Sequence, residues 1–243
     1  MPKFNFLTAK WEYLAMFNYE VDAAILLPYL PPYTTLDLYN GKAIVSVVGF
    51  LFNNTKVLGI NWPMHKNFEE VNLRFYVKRT EGNIMKRGVA FVSEIVPKRI
   101  IATMANTLYN EHYTVAKMSH SLQINDQHIA VTYNWQLKNK QQNSMYVKAE
   151  NILQNLVPQS EAEFILEHYY GYNTYNNTTT IAYTLQNPSW QIYKVIDAQL
   201  HCNIEQLYGN SFAKCIQNVT PTSVLLARGS EVSVQFPKRI VAG

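Results

Sequence analysis

Val71-Asn72-Leu73-Arg74-Phe75-Tyr76-Val77-Lys78, followed by Glu81-Gly82-Asn83 and Gly88-Val89-Ala90-Phe91-Val92-Ser93-Glu94-Ile95-Val96, decides the fold. The first run alternates with period two and puts Leu73, Phe75 and Val77 on one face. β-branched and aromatic residues at that spacing read as a strand. The Gly82-centred turn sends the chain back, so the two runs read as a hairpin.

Upstream, Thr35-Leu36-Asp37-Leu38-Tyr39 and Lys42 to Phe50 flank Asn40-Gly41. That pair predicts a second hairpin, because both central positions of a tight hairpin turn take positive φ. Trp11 to Val21 reads as a strand, and Asp22 as the cap of a short apolar helix ended by Pro28. Downstream, Ile100, Ile101, Met104, Ala105 and Leu108 predict a helix over residues 98–109. Tyr113 to Met118, Ser121 to Ile124, His128 to Leu137, Thr178 to Leu185 and Gln191 to Ala198 read as strands. Ser160 and Glu163 form a capping box for Phe164-Ile165-Leu166. Asn203 opens a helix that Gly209 ends. Ser223 to Ala227 and Glu231 to Phe236 predict a last hairpin across Arg228-Gly229-Ser230.

Strands with few short helices give an α+β class with mostly antiparallel sheet. Closure into a curled, barrel-like core would remove the sheet edges. No repeat and no Gly/Ser- or Pro-rich linker interrupts residues 1–243, which read as one domain.

Of the 243 residues 48% are hydrophobic and 16% charged, too apolar for disorder, and no run is long enough for a spanning helix. The start lacks the pattern of a signal peptide, so a cytoplasmic location is expected. Cys202 and Cys215 fit no zinc spacing, and the histidines show none either, so neither metal nor cofactor is expected. The net charge of +4 concentrates in residues 74–99, where Arg74, Lys78, Arg79, Lys86, Arg87, Lys98 and Arg99 face only Glu81 and Glu94. A nucleic-acid or assembly surface is one reading. Basic pairs at strand ends facing water is the preferred one, so no nucleic-acid or membrane partner is expected, and a homo-oligomer is left open.

A set of ordered motifs resembles the YqjF-like family of uncharacterised conserved proteins. They are Asp37-x-x-x-Gly41-x-Ala43-x-Val45-Ser46, Phe68-x-Glu70-x-Asn72-Leu73-Arg74-x-Tyr76-Val77, Gly88-Val89-x-Phe91, Tyr109-x-x-x-Tyr113-x-x-Ala116-x-Met118, the run Phe164 to Tyr172, Asn187-Pro188-x-Trp190, and Ser223 to Val232. The resemblance implies a fold similar to acetoacetate decarboxylase, a curled antiparallel sheet around a central cavity, whose enzymes form a Schiff base through a lysine activated by a neighbouring lysine. The comparable stretch here, Asn110-Glu111-His112-Tyr113-Thr114, has no lysine. Asn187 stands where the family pattern has histidine.

Glu70, Asn72 and Arg74 share one strand face, which either lines a cavity or is a solvated face. In the first case Arg74 offers a fork to a carboxylate. His112 and Tyr113 occupy the decarboxylases' lysine position, Lys117 lies near it, and His168 beside Glu167 is a further ligand-contact candidate. Glu167 and His168, being adjacent, are not expected to share a site. The function expected is binding of a small organic or carboxylate ligand at Glu70, Asn72, Arg74, His112, Tyr113, Lys117 and His168, without Schiff-base decarboxylation. The alternative is an enzyme acting on small keto acids by acid/base chemistry.

Overall fold

The computed structural model describes residues 5–61, 66–98, 103, 110, 113–138 and 140–241. Its centre is the hairpin from which the sequence reading starts. β4 (Phe68–Glu81) and β5 (Ile84–Val96) pair from Glu81↔Ile84 to Val71↔Ile95. β3 (Ala43–Val57) pairs with β4 on its other side, and β1 (Asn5–Val21) with β3.

β13 (Ser223–Gln235) lies along β1 from Asn18↔Ser223 to Asn5↔Gln235. The hairpin expected over Ser223–Phe236 is therefore one continuous strand. Gly229 is not a turn residue but an irregularity inside that strand, at φ +78°. A Cβ there would stand 2.0 Å from the Trp11 carbonyl oxygen, so only glycine lets the two backbones approach.

Beyond β13 the sheet continues through β12 (Ile192–His201), β9 (Gln142–Gln154), β8 (His128–Gln136) and β7 (Lys117–Ile124). Beyond β5 it continues through β10 (Tyr170–Asn176), β11 (Thr179–Gln186) and β14 (Lys238–Val241). β10 and the short β6 (Tyr113–Val115) pair with β5 in parallel, so the sheet is mixed. It curls until β11 meets β13 over two residue pairs, Leu185↔Val234 and Gln186↔Ser233. The flank from β12 to β7 extends past that junction, so the architecture is the curled sheet expected, without closure into a true barrel.

Asn40 and Gly41 form the predicted turn, with φ of 48° and 78° and paired Tyr39–Lys42 backbone bonds. The strand before the turn, β2 (Thr35–Leu36), pairs with β4 instead of β3. Asp22 caps the 3-10 helix Ala23–Tyr29 as read from the sequence. So do Ser160 for α1 (Glu161–Leu166) and Asn203 for α2 (Ile204–Tyr208), which α3 (Asn210–Ile216) follows. The helix expected over 98–109 lies almost wholly outside the described residues.

Alternation sorts β3 and β4 onto two cores. Val45, Val47, Leu73, Phe75 and Val77 pack in one cluster with Val131, Tyr133, Met145 and Val147 of β8 and β9. Ile44, Val48, Phe50, Phe52, Phe68 and Tyr76 face the concave side with Phe164, Ile165 and Leu166 of α1. Both faces of β4 are thus buried from Glu70 to Val77, and Glu70, Asn72 and Arg74 share the face of Phe68 and Tyr76.

Candidate functional site

Glu70, Asn72 and Arg74 lie on that concave face, 3%, 2% and 9% exposed, which rules out a solvated strand face. Glu94, opposite Asn72 on β5, is buried with them. Between Leu73 and Arg74 the β4–β5 register slips, as Leu73 faces Ser93 and Arg74 faces Phe91. Such a bulge re-aims side chains at the point where it sits.

Asn72 Nδ2 donates to Glu70 Oε1 at 2.9 Å, and the Tyr113 hydroxyl donates to Glu70 Oε2 at 3.0 Å. Burial pushes the Glu70 carboxyl up to about 7, against the opposing pull of those two bonds and of the Arg74 charge. Burial wins because removing a carboxylate from water costs more than two neutral donors return. Glu70 therefore exchanges its proton near neutral pH.

Arg74 Nη2 contacts the Ile165 carbonyl of α1 at 3.5 Å and Met16 Sδ at 3.8 Å, and its guanidinium lies over the Tyr76 ring. Its Nε is buried with no hydrogen-bond partner among the described residues, and the same holds for Asn72 Oδ1. No carboxylate among them forms an ion pair with Arg74. A buried guanidinium without a directly bonded counter-ion is costly, and an anionic ligand is one way to offset that cost.

A second polar cluster stands behind Tyr76. Asp37 accepts from Arg87 Nε at 2.6 Å and from Lys78 Nζ at 3.3 Å, and lies 3.3 Å from His168 Nε2. Burial works to raise the Asp37 pKa, but the His168 and Arg87 bonds outweigh it and hold the carboxyl well below its usual range. Burial pushes His168 down to about 4, so at neutral pH the ring is uncharged and donates through Nε2. The His168 ring packs 4.8 Å from Tyr76 and 5.2 Å from Phe164. Tyr76 in turn shares a 2.6 Å hydrogen bond with Ser46, which donates to Asn18 Oδ1 at 2.6 Å. Asn18 continues to Ser223 and Ser223 to Glu161, tying the sheet to the first turn of α1.

Of the residues singled out from sequence, the structure brings Glu70, Asn72, Arg74 and Tyr113 together. His168 is buried one layer away, behind Tyr76, and not beside Glu167, which binds Tyr169 and Ser189 instead. Lys117 is exposed at the start of β7, apart from the buried cluster. His112 lies outside the described residues. The expectation that the basic pairs face water is corrected for Lys78 and Arg87, which hold the buried Asp37, while Arg79 and Lys86 pair with the exposed Glu81 at the hairpin tip, Arg74 is interior, and Arg99 lies outside the described residues. The sequence reading missed Asp37, Arg87, Ser46 and Asn18 as site-building residues. Among the described residues no group of three or more His, Cys, Asp or Glu could hold a metal ion, and no helix is long and apolar enough to cross a membrane.

The family model DUF2071, described as an uncharacterized conserved protein, matches residues 8–231. The chain belongs to the DUF2071 family. Within reach of it is the uncharacterized protein YqjF of Bacillus subtilis (strain 168), 27% identical over 170 residues, or 69% of this chain and 67% of YqjF. Among solved structures, the acetoacetate decarboxylase of Legionella pneumophila superposes with a TM-score of 0.65 at 12% identity, covering 96% of this chain and 87% of the enzyme. An acetoacetate decarboxylase-like enzyme of Sphingomonas wittichii RW1 gives 0.62 at 10% identity, covering 98% and 94%. The enduracididine biosynthesis enzyme MppR complexed with pyruvate gives 0.63 at 10% identity, covering 97% and 90%. These likenesses show the fold: this DUF2071 chain has the curled sheet of acetoacetate decarboxylase-like proteins.

Proposed function

We propose that this DUF2071 protein binds a small organic carboxylate on the concave face, with Arg74 as the anion anchor. The observation that carries the reading is the buried Arg74 guanidinium, whose Nε lacks a partner among the described residues. A planar fork held by Tyr76 and the α1 backbone suits a carboxylate, and Asn72 Oδ1 offers an acceptor beside it. MppR, of the same fold, is complexed with pyruvate, which agrees in ligand class. Schiff-base decarboxylation is not part of the reading, because residues 110–114 contain no lysine and Lys117 is exposed. Cys202 and Cys215 are both free thiols, which fits a reducing compartment such as the cytoplasm.

Titration calorimetry with pyruvate and acetoacetate, and with acetone as the neutral control, tests the proposal. Binding of the acids alone, lost in Arg74→Met, is the expected result. Equal binding by Arg74→Met would overturn it. Methionine is the variant of choice because an apolar side chain of similar length leaves no buried charge behind.

One observation favours acid/base chemistry on a keto acid as a second reading. Glu70 changes protonation near pH 7, where a general base works best, and sits on the same face as Arg74. Deuterium exchange at the carbon next to the carbonyl of pyruvate, abolished in Glu70→Gln, would establish it. No exchange above the buffer rate would remove it.

A further inference from the structure

The concave face carries an aromatic wall next to the polar band. Trp11 packs on Phe50 at 5.0 Å and on Phe52 at 5.4 Å, and Phe52 stacks on Phe68 at 4.5 Å. Trp190 closes the group from the side, 6.1 Å from Trp11. Phe50 is the direct cross-strand partner of Glu70, so wall and band are continuous. The two tryptophans differ. Trp190 donates its indole N–H to Ser230 at 2.8 Å, whereas Trp11 Nε1 is buried with no partner among the described residues. Trp135 Nε1 and the Tyr208 hydroxyl are likewise unpartnered among the described residues, in the other core, whereas Trp11 Nε1 stands on the side of the sheet that carries the unpartnered Arg74 Nε.

The latter two donors belong to side chains rooted on different rows of the sheet. Arg74 reaches Met16, whose row runs Met16↔Val48↔Asn72. Trp11 belongs to the row Trp11↔Phe52↔Phe68. Phe68 and Asn72 are four residues apart, about 13 Å along an extended strand. A three-carbon keto acid cannot span rows that far apart. One aromatic ring on a short linker, hydrogen-bonded at each end, can.

We infer that the ligand is an aryl-substituted short-chain carboxylate with a hydrogen-bond acceptor on the far edge of its ring. The carboxylate sits on Arg74, the ring lies along Phe50 and Phe68, and the acceptor meets the Trp11 N–H. This inference rests on the carboxylate reading of Arg74 and adds the body of the ligand to it.

Calorimetry with four probes separates the two ideas: propionate, 3-phenylpropionate, 3-(4-hydroxyphenyl)propionate and 3-phenylpropionamide. The ring should tighten binding about 100-fold over propionate, from the apolar area it buries. The amide should bind weakly, and the 4-hydroxy compound should surpass 3-phenylpropionate. Trp11→Phe, which keeps a ring but lacks the N–H, should erase only that last gain. Propionate and 3-phenylpropionate binding alike, both through Arg74, would overturn this inference and leave the carboxylate reading intact. A 4-hydroxy compound no tighter than its parent would also overturn it. Binding of 3-phenylpropionate unchanged by Arg74→Met would overturn the carboxylate reading itself.

Discussion

Replacing Glu70 by Gln should make the protein more stable at pH 8 and leave it nearly unchanged at pH 5. Burial raises the Glu70 carboxyl from 4.5 to about 7 in the folded protein. Between those values the folded state holds a proton that the unfolded chain has released, so the contribution of Glu70 to stability falls as pH rises. It is fully present below 4.5, and is lost as pH rises through about 7. The shift corresponds to about 3.5 kcal/mol at most, since each unit is worth roughly 1.4 kcal/mol. Gln keeps the shape and one carbonyl acceptor for Tyr113 or Asn72 but carries no charge to bury. Urea melts followed by tryptophan fluorescence at pH 5, 6.5 and 8 give the difference directly. Wild type and variant should agree within about 1 kcal/mol at pH 5, and the variant should lead by about 2–3 kcal/mol at pH 8. A difference that stays flat across that range, or a wild type that gains on the variant as pH rises, would refute the reasoning.

Asp37→Ala removes the acceptor for Arg87, Lys78 and His168 together. It should cost about 2–3 kcal/mol at pH 7 by urea melts, less than a fully buried pair because both cations are partly exposed. The depressed Asp37 pKa means its stabilisation is fully present above the unfolded carboxyl range and is lost only as pH falls below that range toward the lower folded value, so the cost should begin to shrink only below about pH 4. Gly229→Ala forces a Cβ onto the Trp11 carbonyl at φ +78°. It should lower stability by at least about 2 kcal/mol and disturb the Trp11 emission spectrum, and an unchanged melting curve would contradict the close approach of β1 and β13.

How far the sequence carried the reading differs by residue. The face shared by Glu70, Asn72 and Arg74 was legible because strand periodicity is local. The caps at Asp22, Ser160 and Asn203 were legible for the same reason. Whether that face met water was not, since its burial depends on α1, nearly a hundred residues downstream in the chain. The Asp37 cluster joins positions 50 and 131 residues apart, beyond any spacing rule. Gly229 was misread because a glycine marks both a turn and a close backbone approach, and the partner that decides between them, Trp11, lies at the other end of the chain. Lys78 and Arg87 looked solvent-facing because charge counting cannot see that Asp37, outside the 74–99 segment, is their acceptor.

A crystal structure with 3-(4-hydroxyphenyl)propionate tests the central claim most directly. The account predicts the carboxylate within hydrogen-bonding distance of Arg74 Nε and the ring against Phe50 and Phe68, with the phenol oxygen at Trp11 Nε1. A ligand lodged elsewhere, for example in the groove of about 510 Å³ beside His201, Glu205 and Asn218, with Arg74 untouched, would contradict it.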